Sequence, residues 1–335
     1  MRVAITGASG LVGGNLATLL LGAGHAVRAT KRGSSKVAHL SDVPIEWVPG
    51  DLDDAGPLTE AFRGCDVVFH CAAQVSVRPK PTPVLVKANV DGTRRVIEAV
   101  RAARVPRLVH CSTVAAVAVS ENGEPSDETA AWNFDRYALG DGYAVTKHQA
   151  EGVVREAVRG GLDAVIVNPT FMFGPLDSKP SSGRLIVDVV RGKMPGRMPG
   201  MNNFVDVRDV ARGMIAAAEK GKTGERYILG GENMSYAEVS DRIARMAGTR
   251  PLTWNVPRVL AAIPGWFGDV RAWLGGEPLL TSVTIRYAYS PRFIFRSDKA
   301  KRELGYTTGP LDDAIRDAVA WFRATGRLPA PKLRN

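Results

Sequence analysis

The sequence predicts an α/β fold in which a doubly wound parallel sheet is followed by a smaller C-terminal region. Short β-branched runs alternate with amphipathic stretches through the first half of the 335-residue chain. This alternation is typical of βαβ units and a parallel sheet, and right-handed crossovers place helices on both faces. After Asn168 the alternation ends. Prolines and glycines then cluster in "NPTFMFGPLDSKPSSG" and "RGKMPGRMPGMNN", a composition typical of loops.

Six strands are predicted, each a short apolar run bounded by turn residues. They cover residues 2–6, 25–30, 45–50, 65–72, 107–113 and 162–168. The clearest amphipathic helices between them are predicted over 11–24 and 84–103. We therefore expect a nucleotide-binding domain over residues 1–168. Residues 169–335 are expected to be mostly substrate-binding, with some segments that return to the sheet.

The composition limits the classes of partner. Lys and Arg outnumber Asp and Glu by 44 to 34, but the basic residues are interspersed with acids. This pattern favours a solvated surface and an anionic cofactor over nucleic acid. Three cysteines are too few for a disulfide framework or a zinc site, so we expect no metal and a reducing, cytoplasmic location. No stretch has the roughly 18 apolar residues of a spanning helix, and we expect no cleavable signal before the first strand.

A glycine-rich turn, "TGASGLVGG", directly follows the first predicted strand. Gly7 permits a tight turn, Gly10 lets the backbone approach a pyrophosphate, and Gly13 lets the helix pack closely on the strand. The free N–H groups at the start of the helix then face the phosphates. This position in a βαβ unit favours a Rossmann-type dinucleotide site over a purely structural turn. The predicted contacts of this turn are Gly7, Ser9, Gly10, Leu11, Val12 and Gly13.

The residues after the second strand indicate which dinucleotide binds. An acidic residue there would accept a hydrogen bond from the ribose 2′-hydroxyl of NAD, but the sequence reads "VRATKRGSSK" and has no carboxylate. Arg28, Lys31, Arg32 and Lys36 supply cations instead. A 2′-phosphate is best bound by arginine, so NADP is predicted, with Arg32 as the main contact and Lys36 beside it. A solvated basic loop is the alternative, in which case NAD remains open.

The third strand ends in "PGDLDD". At the end of a parallel strand Asp51 can accept a hydrogen bond from the adenine amino group, while Leu52 covers the ring. The alternative is that Asp51 or Asp53 caps the following helix.

Tyr143 and Lys147 are four residues apart in "YAVTKHQAE" and therefore share one helix face. A tyrosine near its usual pKa of about 10 is a poor acid or base at neutral pH, and a neighbouring ammonium stabilises its phenolate. Tyr137 has no lysine at the same spacing. Ser112 and Thr113 end a strand, where a hydroxyl can bind the same substrate oxygen or simply bond the backbone.

These motifs occur in a fixed order with "HCAA", "NVDGT", "NPTFMFGP" and "KAKRELGY". Over essentially its whole length the chain resembles an extended short-chain dehydrogenase/reductase of the NAD-dependent epimerase/dehydratase superfamily. It is most similar to the dihydroflavonol-reductase-like branch, and within that branch to the hopanoid-associated sugar epimerases.

The resemblance implies roles for individual residues. Tyr143 is expected to be the acid/base, with Lys147 as its partner, which also holds the nicotinamide ribose. Thr113 is expected to be the catalytic hydroxyl, although the family usually has serine there, and Ser112 is the alternative. Asn89 is expected to support the fold. Further cofactor contacts are expected from Ala72, Ala73, Gln74, Ser112, Pro169 and Thr170.

We expect an NADP-dependent oxidoreductase that interconverts a carbonyl compound and its alcohol. The competing hypotheses are a sugar-nucleotide epimerase or dehydratase, a 3β-hydroxysteroid dehydrogenase-type enzyme and a non-catalytic NADP-binding regulator. The last is disfavoured because Tyr143 and Lys147 are both present. Arg208 and Arg286 are the cations that a sugar nucleotide would use.

Aromatic residues after the fifth and sixth strands predict a bulky apolar or aromatic substrate, since such pockets have few polar anchors. The predicted contacts are Trp132, Phe171 and Phe173. Residues 256–274 are apolar and edged by arginine, which is compatible with peripheral membrane contact. A homodimer is compatible with the sequence, and no nucleic-acid partner is expected.

Overall fold

Ten strands and twelve helices lie within residues 1–330, the part of the chain that the computed structural model describes. In chain order the strands are β1 (Arg2–Thr6), β2 (Ala26–Lys31), β3 (Glu46–Pro49), β4 (Val67–His70), β5 (Arg107–Cys111), β6 (Ala164–Pro169), β7 (Phe171–Phe173), β8 (Met201–Asp206), β9 (Arg226–Leu229) and β10 (Glu232–Ser235). The helices are α1 (Leu11–Gly22), α2 (Ala55–Phe62), α3 (Pro83–Val86), α4 (Gly92–Ala102), α5 (Gly142–Arg159), α6 (Arg184–Val190), α7 (Val207–Lys220), α8 (Tyr236–Ala247), α9 (Arg258–Trp273), α10 (Ser282–Tyr289), α11 (Asp298–Leu304) and α12 (Leu311–Ala324).

Seven strands form a parallel sheet in the order β3-β2-β1-β4-β5-β6-β9. All six predicted strands belong to it, and the predicted α/β fold is confirmed. In the centre, Ile5 of β1 lies opposite Ala29 of β2 and Phe69 of β4. The strand order reverses beside β1, so the carboxyl ends of β1 and β4 border the crevice where open α/β sheets bind their ligands.

Helices cover both faces of this sheet. Successive residues of a strand point to opposite faces. Val3 and Ile5 of β1 therefore pack with α1 and α7, where Leu16 and Met214 lie, while Ala4 packs with α2, α4 and α5. The sheet is doubly wound, as the sequence predicts.

Segments beyond residue 168 return to the main sheet. Strand β9 pairs with β6, with Tyr227 opposite Val167, and α7 packs against α1. The rest of this region contains a smaller sheet of order β10-β8-β7. Its central strand β8 contributes Phe204 to a separate core formed with α6, α8 and α12.

Helices α9 and α10 pack against each other as a hairpin. A small core of three buried residues lies here: Val256, which precedes α9, Ala261 and Ile285. Among the helices of the described chain, none combines the length and apolar character required to cross a bilayer.

Candidate active site

The glycine turn lies at the carboxyl end of β1. Gly7 has φ +78, and a Cβ there would lie 2.6 Å from the backbone nitrogen of Ala72, so only glycine fits. A Cβ at Gly13 would overlap the carbonyl oxygen of Gly7. At Gly10, by contrast, the nearest atom to an added Cβ is 3.4 Å away. No side chain caps α1 at Gly10, so its first N–H groups are available to a phosphate. The turn therefore fits a dinucleotide pyrophosphate.

The cations in and after β2 have different environments. Arg28 is turned into the protein: it forms a 2.8 Å ion pair with Glu46 and donates to the Ala61 carbonyl at 3.0 Å. It therefore does not contribute a cation to a 2′-phosphate site, contrary to the expectation from sequence. Arg32 and Lys36 are exposed beyond the end of β2, and the backbone N–H of Arg32 bonds the Ser35 hydroxyl at 3.0 Å.

The acidic residues after β3 have distinct contacts. The helix cap is Asp54, whose carboxylate accepts from the Gly56 N–H at 2.9 Å, whereas Asp53 pairs with Lys87 at 2.6 Å. Capping of α2 by Asp51 or Asp53 is therefore wrong. The Asp51 side chain is exposed, and Leu52 packs against Gly92.

The segment after β4, which contains Ala72, Ala73 and Gln74, is held by one buried side chain. Asn89 accepts from the Gln74 N–H at 2.8 Å and donates to the Gln74 carbonyl at 2.9 Å. It also donates to the Thr146 hydroxyl of α5 at 3.0 Å. Asn89 lies in a single π-helical turn between α3 and α4. The geometry thus gives Asn89 a structural role that joins the cofactor crevice to α5.

Helix α5 carries the Tyr143–Lys147 pair and begins at the cap Asp141, which accepts from the Ala144 N–H at 2.7 Å. Lys147 is buried and donates to the Cys111 carbonyl at the end of β5 at 2.9 Å. Burial lowers the pKa of Lys147. Lys147 therefore bonds to the strand end rather than to the Tyr143 phenol.

Tyr143 faces the end of β5. Burial raises its pKa well above the ordinary value, and the nearby Cys111 and Asp141 add to this, while a hydrogen bond with Thr113 opposes it. The phenol is therefore protonated at neutral pH. The neighbouring Ser112 hydroxyl is buried and lacks a hydrogen-bond partner among the described residues. The Thr113 hydroxyl accepts from the Ala115 N–H at 3.3 Å.

Tyr137, the other tyrosine on this segment, lies in a short turn before α5. The guanidinium carbon of Arg292 is 4.0 Å from the centre of its ring, which indicates a cation–π contact. The structure gives Tyr137 a packing role.

A buried polar network behind Thr113 was not predicted from the sequence. Asn168 donates to the Thr113 carbonyl at 2.9 Å and to the Glu151 carboxylate at 2.6 Å. Glu151 is fully buried and pairs with Arg155 at 2.9 Å. Its position one helical turn after Lys147 is the sequence signal that could have revealed it.

Two histidines below the cleft are excluded as acid/base groups. His70 is fully enclosed between the hydroxyls of Thr6 at 2.8 Å and Thr93 at 3.2 Å. Burial lowers the pKa of His70 to about 3 and that of His110 well below its usual value. Both rings are therefore neutral at physiological pH.

The residues at the end of β6 and the aromatic residues have different environments. Pro169 ends β6, and the buried Thr170 hydroxyl has no hydrogen-bond partner among residues 1–330.

Trp132 stacks on His148 with ring centres 4.6 Å apart, and Phe171 packs edge-on against Phe204. Both retain some exposed surface.

Phe173 differs from these two aromatic residues. It is fully buried and stacked on Phe204 in the core of the smaller sheet. Its predicted contact with substrate is not supported, because no part of its side chain faces solvent.

Similar sequences and a similar solved structure are known. A 36% identical relative, spanning 96% of this chain and 94% of its own, is named "Putative dihydroflavonol 4-reductase" and comes from Synechocystis sp.. A 35% identical relative, spanning 98% of this chain and all of its own, is sterol demethylase protein B of Methylococcus capsulatus. A solved structure, described as a nucleoside-diphosphate-sugar epimerase from Pseudomonas aeruginosa, superposes with a TM-score of 0.79 at 28% identity, covering 98% of this chain and 99% of that one.

The family-level model for the NAD-dependent epimerase/dehydratase family matches residues 3–230. That span contains the glycine turn, the strand-end hydroxyls and the Tyr143–Lys147 pair. The predicted resemblance to extended short-chain dehydrogenases/reductases is confirmed, and with it the general class of NAD(P)-dependent oxidoreductase. The chain belongs to the NAD-dependent epimerase/dehydratase family.

Proposed function

We propose that this protein reduces the carbonyl group of a bulky apolar compound to an alcohol with NADPH, and catalyses the reverse reaction when the concentrations favour it. The observation that carries the proposal is the placement of the Tyr143–Lys147 pair of α5 at the end of β5, where Lys147 donates to the Cys111 carbonyl at 2.9 Å. Tyr143 offers a proton donor, and Thr113, two residues after Cys111, offers a hydrogen-bond donor to the same substrate oxygen.

The chain supplies position and proton transfer. A bound NADPH, its pyrophosphate held by the glycine turn, would supply the hydride to the carbonyl carbon. Tyr143 donates its proton to the oxygen, which becomes the alcohol hydroxyl, and Thr113 holds that oxygen through a hydrogen bond. Lys147 then stabilises the Tyr143 phenolate by its charge. Asn168 fixes the Thr113 backbone from behind.

The preference for NADP rests on the residues beyond β2. Arg32 and Lys36 are exposed there, and the loop has no carboxylate to bind a ribose hydroxyl. A guanidinium binds phosphate through paired N–H groups. Arg32 would therefore hold the 2′-phosphate, with Lys36 as a second cation.

The apolar substrate is favoured over a sugar nucleotide because the cations that a diphosphate would need are already engaged. Arg208 pairs with Asp206 and Asp317, each at 2.6 Å. Arg286 donates to the Ala138 carbonyl at 2.7 Å. Trp132 and Phe171 offer partly exposed aromatic surface instead.

A panel of carbonyl compounds tests this function. Aryl ketones, aldehydes and sterol-like ketones are incubated with the enzyme and NADPH or NADH, and reduced-cofactor absorbance is followed. We expect net NADPH oxidation with at least one apolar carbonyl and a higher kcat/KM than with any UDP-sugar. Turnover of a UDP-sugar without net cofactor consumption, with no activity on the apolar carbonyls, would contradict the proposal.

A further inference from the structure

Helix α9 exposes most of its large apolar side chains. Their exposed fractions range from 50% for Leu260 to 84% for Trp273. We call this surface the α9 apolar face; it consists of Val259, Leu260, Ile263, Trp266, Phe267, Trp273 and Leu274. Contiguous exposed apolar surface of this kind marks an interaction site in a soluble protein.

The side of α9 that faces the protein is made of small residues. Ala261, Gly265 and Gly268 are its buried positions, spaced so that they share one helix face. A Cβ added at Gly265 would lie 2.9 Å from the Ile285 side chain of α10. Large side chains of α9 do not fit at this contact with α10. The packing of the hairpin therefore leaves the α9 apolar face exposed to solvent.

The charges around this face fit an anionic membrane surface. Arg258 begins α9 and Arg271 lies in its last turn, both exposed. The only carboxylate of the helix, Asp269, accepts from the Ser282 N–H at 3.1 Å and is thereby engaged in the hairpin. Tryptophan, phenylalanine and leucine beside arginine are typical of helices that lie in the interfacial plane of a bilayer.

A second copy of the chain fits this surface less well. If two α9 helices packed in antiparallel orientation through their apolar faces, Arg258 of each would lie near Arg271 of the other. If they packed in parallel, each arginine would meet its own equivalent. Both arrangements bring like charges together, which is unfavourable, whereas phosphate headgroups would neutralise them.

Arg78 joins the hairpin to the helix that carries Tyr143. The Arg78 guanidinium donates to the carbonyls of Ala272 at 3.0 Å and Gly276 at 2.7 Å, and the Arg78 carbonyl accepts from the Gly142 N–H at 2.9 Å. Gly142 immediately precedes Tyr143. A membrane that binds α9 would therefore lie close to the substrate side of the cleft.

We propose that α9 docks the protein onto the surface of a membrane that contains anionic phospholipid, and that the substrate is an apolar carbonyl compound dissolved in that membrane. The first part stands on the α9 apolar face and its arginines. The second part rests on the proposed function, because it assumes that the cleft reduces a carbonyl.

Vesicle co-sedimentation tests docking without any substrate. The full-length protein is mixed with vesicles of phosphatidylcholine alone or with one part in four phosphatidylglycerol. We expect binding that is stronger with phosphatidylglycerol. Trp266→Ser/Phe267→Ser should weaken it by at least about tenfold, since two large apolar side chains no longer enter the interface. The matched control Trp266→Leu/Phe267→Leu keeps the face apolar and should bind within about threefold of the unchanged protein. Near-ultraviolet circular dichroism and NADP binding verify that both variants are folded.

The substrate part is tested with one ketone embedded in the vesicles and one short water-soluble ketone. The serine variant should lose activity on the embedded ketone and keep it on the soluble one. Binding with no activity on either ketone would leave docking supported and contradict the proposed function. If the unchanged protein fails to bind either vesicle, or if the serine variant abolishes self-association instead of vesicle binding, the docking proposal is overturned.

Discussion

The catalytic cleft and the α9–α10 hairpin are stabilised in opposite ways. In the cleft, two buried amide side chains hold the backbone through hydrogen bonds: Asn89 fixes the segment after β4, and Asn168 fixes the backbone after β5. In the hairpin, large apolar side chains are exposed, and only three residues form a separate core. The Arg78 guanidinium donates to backbone carbonyls of the hairpin and so ties the hairpin to the rest of the protein.

This difference indicates that the cleft and the hairpin have different functions. Buried hydrogen-bonded groups hold reacting atoms in a fixed geometry, because each bond would cost free energy to break without a substitute. Exposed apolar side chains do not hold a fixed geometry. Covering them with another apolar phase lowers the free energy of the system. The cleft is therefore suited to chemistry, and the hairpin to location and substrate entry.

The largest expected effect is a loss of turnover in the cleft that leaves the hairpin unchanged. Tyr143→Phe removes the proton donor and little else, so we expect turnover to fall by about 100-fold or more, the scale of general acid catalysis. NADP binding and vesicle binding should be unchanged. Steady-state reduction of an apolar carbonyl, together with co-sedimentation, measures both.

Tyr137→Phe is the matched control, because Tyr137 lies on the same segment but packs under Arg292. It should keep most of the activity. Equal losses in the two variants would contradict the assignment of Tyr143, and a loss of vesicle binding in Tyr143→Phe would show that the two regions are not independent.

A smaller effect is expected at the nucleotide end of the cleft. Arg32→Glu places a carboxylate where a 2′-phosphate would bind, so the KM for NADPH should rise by roughly tenfold, which corresponds to one charge-assisted contact. The KM for NADH should change little. Arg28→Gln is a contrasting variant, since Arg28 pairs with Glu46 at the protein surface and donates to the Ala61 carbonyl. It should affect stability rather than cofactor choice. An unmodified enzyme that uses NADH far better than NADPH would contradict the preference.

The sequence predicted the cleft far better than the hairpin. The alternation of strands and helices predicted all six strands up to Asn168, because each is a short apolar run between turn residues. Strand β9 is as long as β3 and β4, but it lies beyond Asn168, where the regular alternation of strands and helices ends, and it was missed. The three-residue β7 was missed because it lies in the proline- and glycine-containing segment "NPTFMFGP", whose composition is typical of a loop.

Side-chain environments were harder to predict than strands. Phe173 and Trp266 are both aromatic residues near glycine and proline, yet one is fully buried and the other largely exposed. The difference depends on which elements pack nearby, and a local pattern does not contain that information. The buried Glu151 was missed because an acidic residue on a helix is ordinarily exposed.

The smallest predicted effect concerns the contact that joins the two regions. Asp141 caps α5, and its second carboxylate oxygen lies 3.1 Å from the Tyr287 hydroxyl of α10. Burial raises the pKa of Asp141 from 3.8 to about 6. Because folding raises the pKa of Asp141, the folded protein is more stable when this carboxyl group is protonated than when it is ionised. That contribution is complete below about pH 3.8, decreases as the pH rises from 3.8, and is gone above about pH 6.

Asp141→Asn should therefore stabilise the protein most above pH 6, about half as much near pH 5, and least near pH 4. Asparagine caps helices about as well as aspartate, and its amide can donate to the Tyr287 hydroxyl, which itself donates to the Leu139 carbonyl at 2.6 Å. The shift in pKa sets a ceiling of about 3 kcal/mol. Because the amide must also fit the bonds made by two carboxylate oxygens, we expect about 1 kcal/mol above pH 6, or roughly 1–2 °C in Tm for a chain of this length.

Thermal unfolding at pH 4 and pH 8 measures this gain, with Asp54→Asn at the exposed cap of α2 as the control that should show no such pH-dependent gain. If Asp141→Asn loses more stability at pH 8 than at pH 4, the carboxylate is bound in its charged form, and α5 and the hairpin are joined by a charged contact rather than by a neutral one.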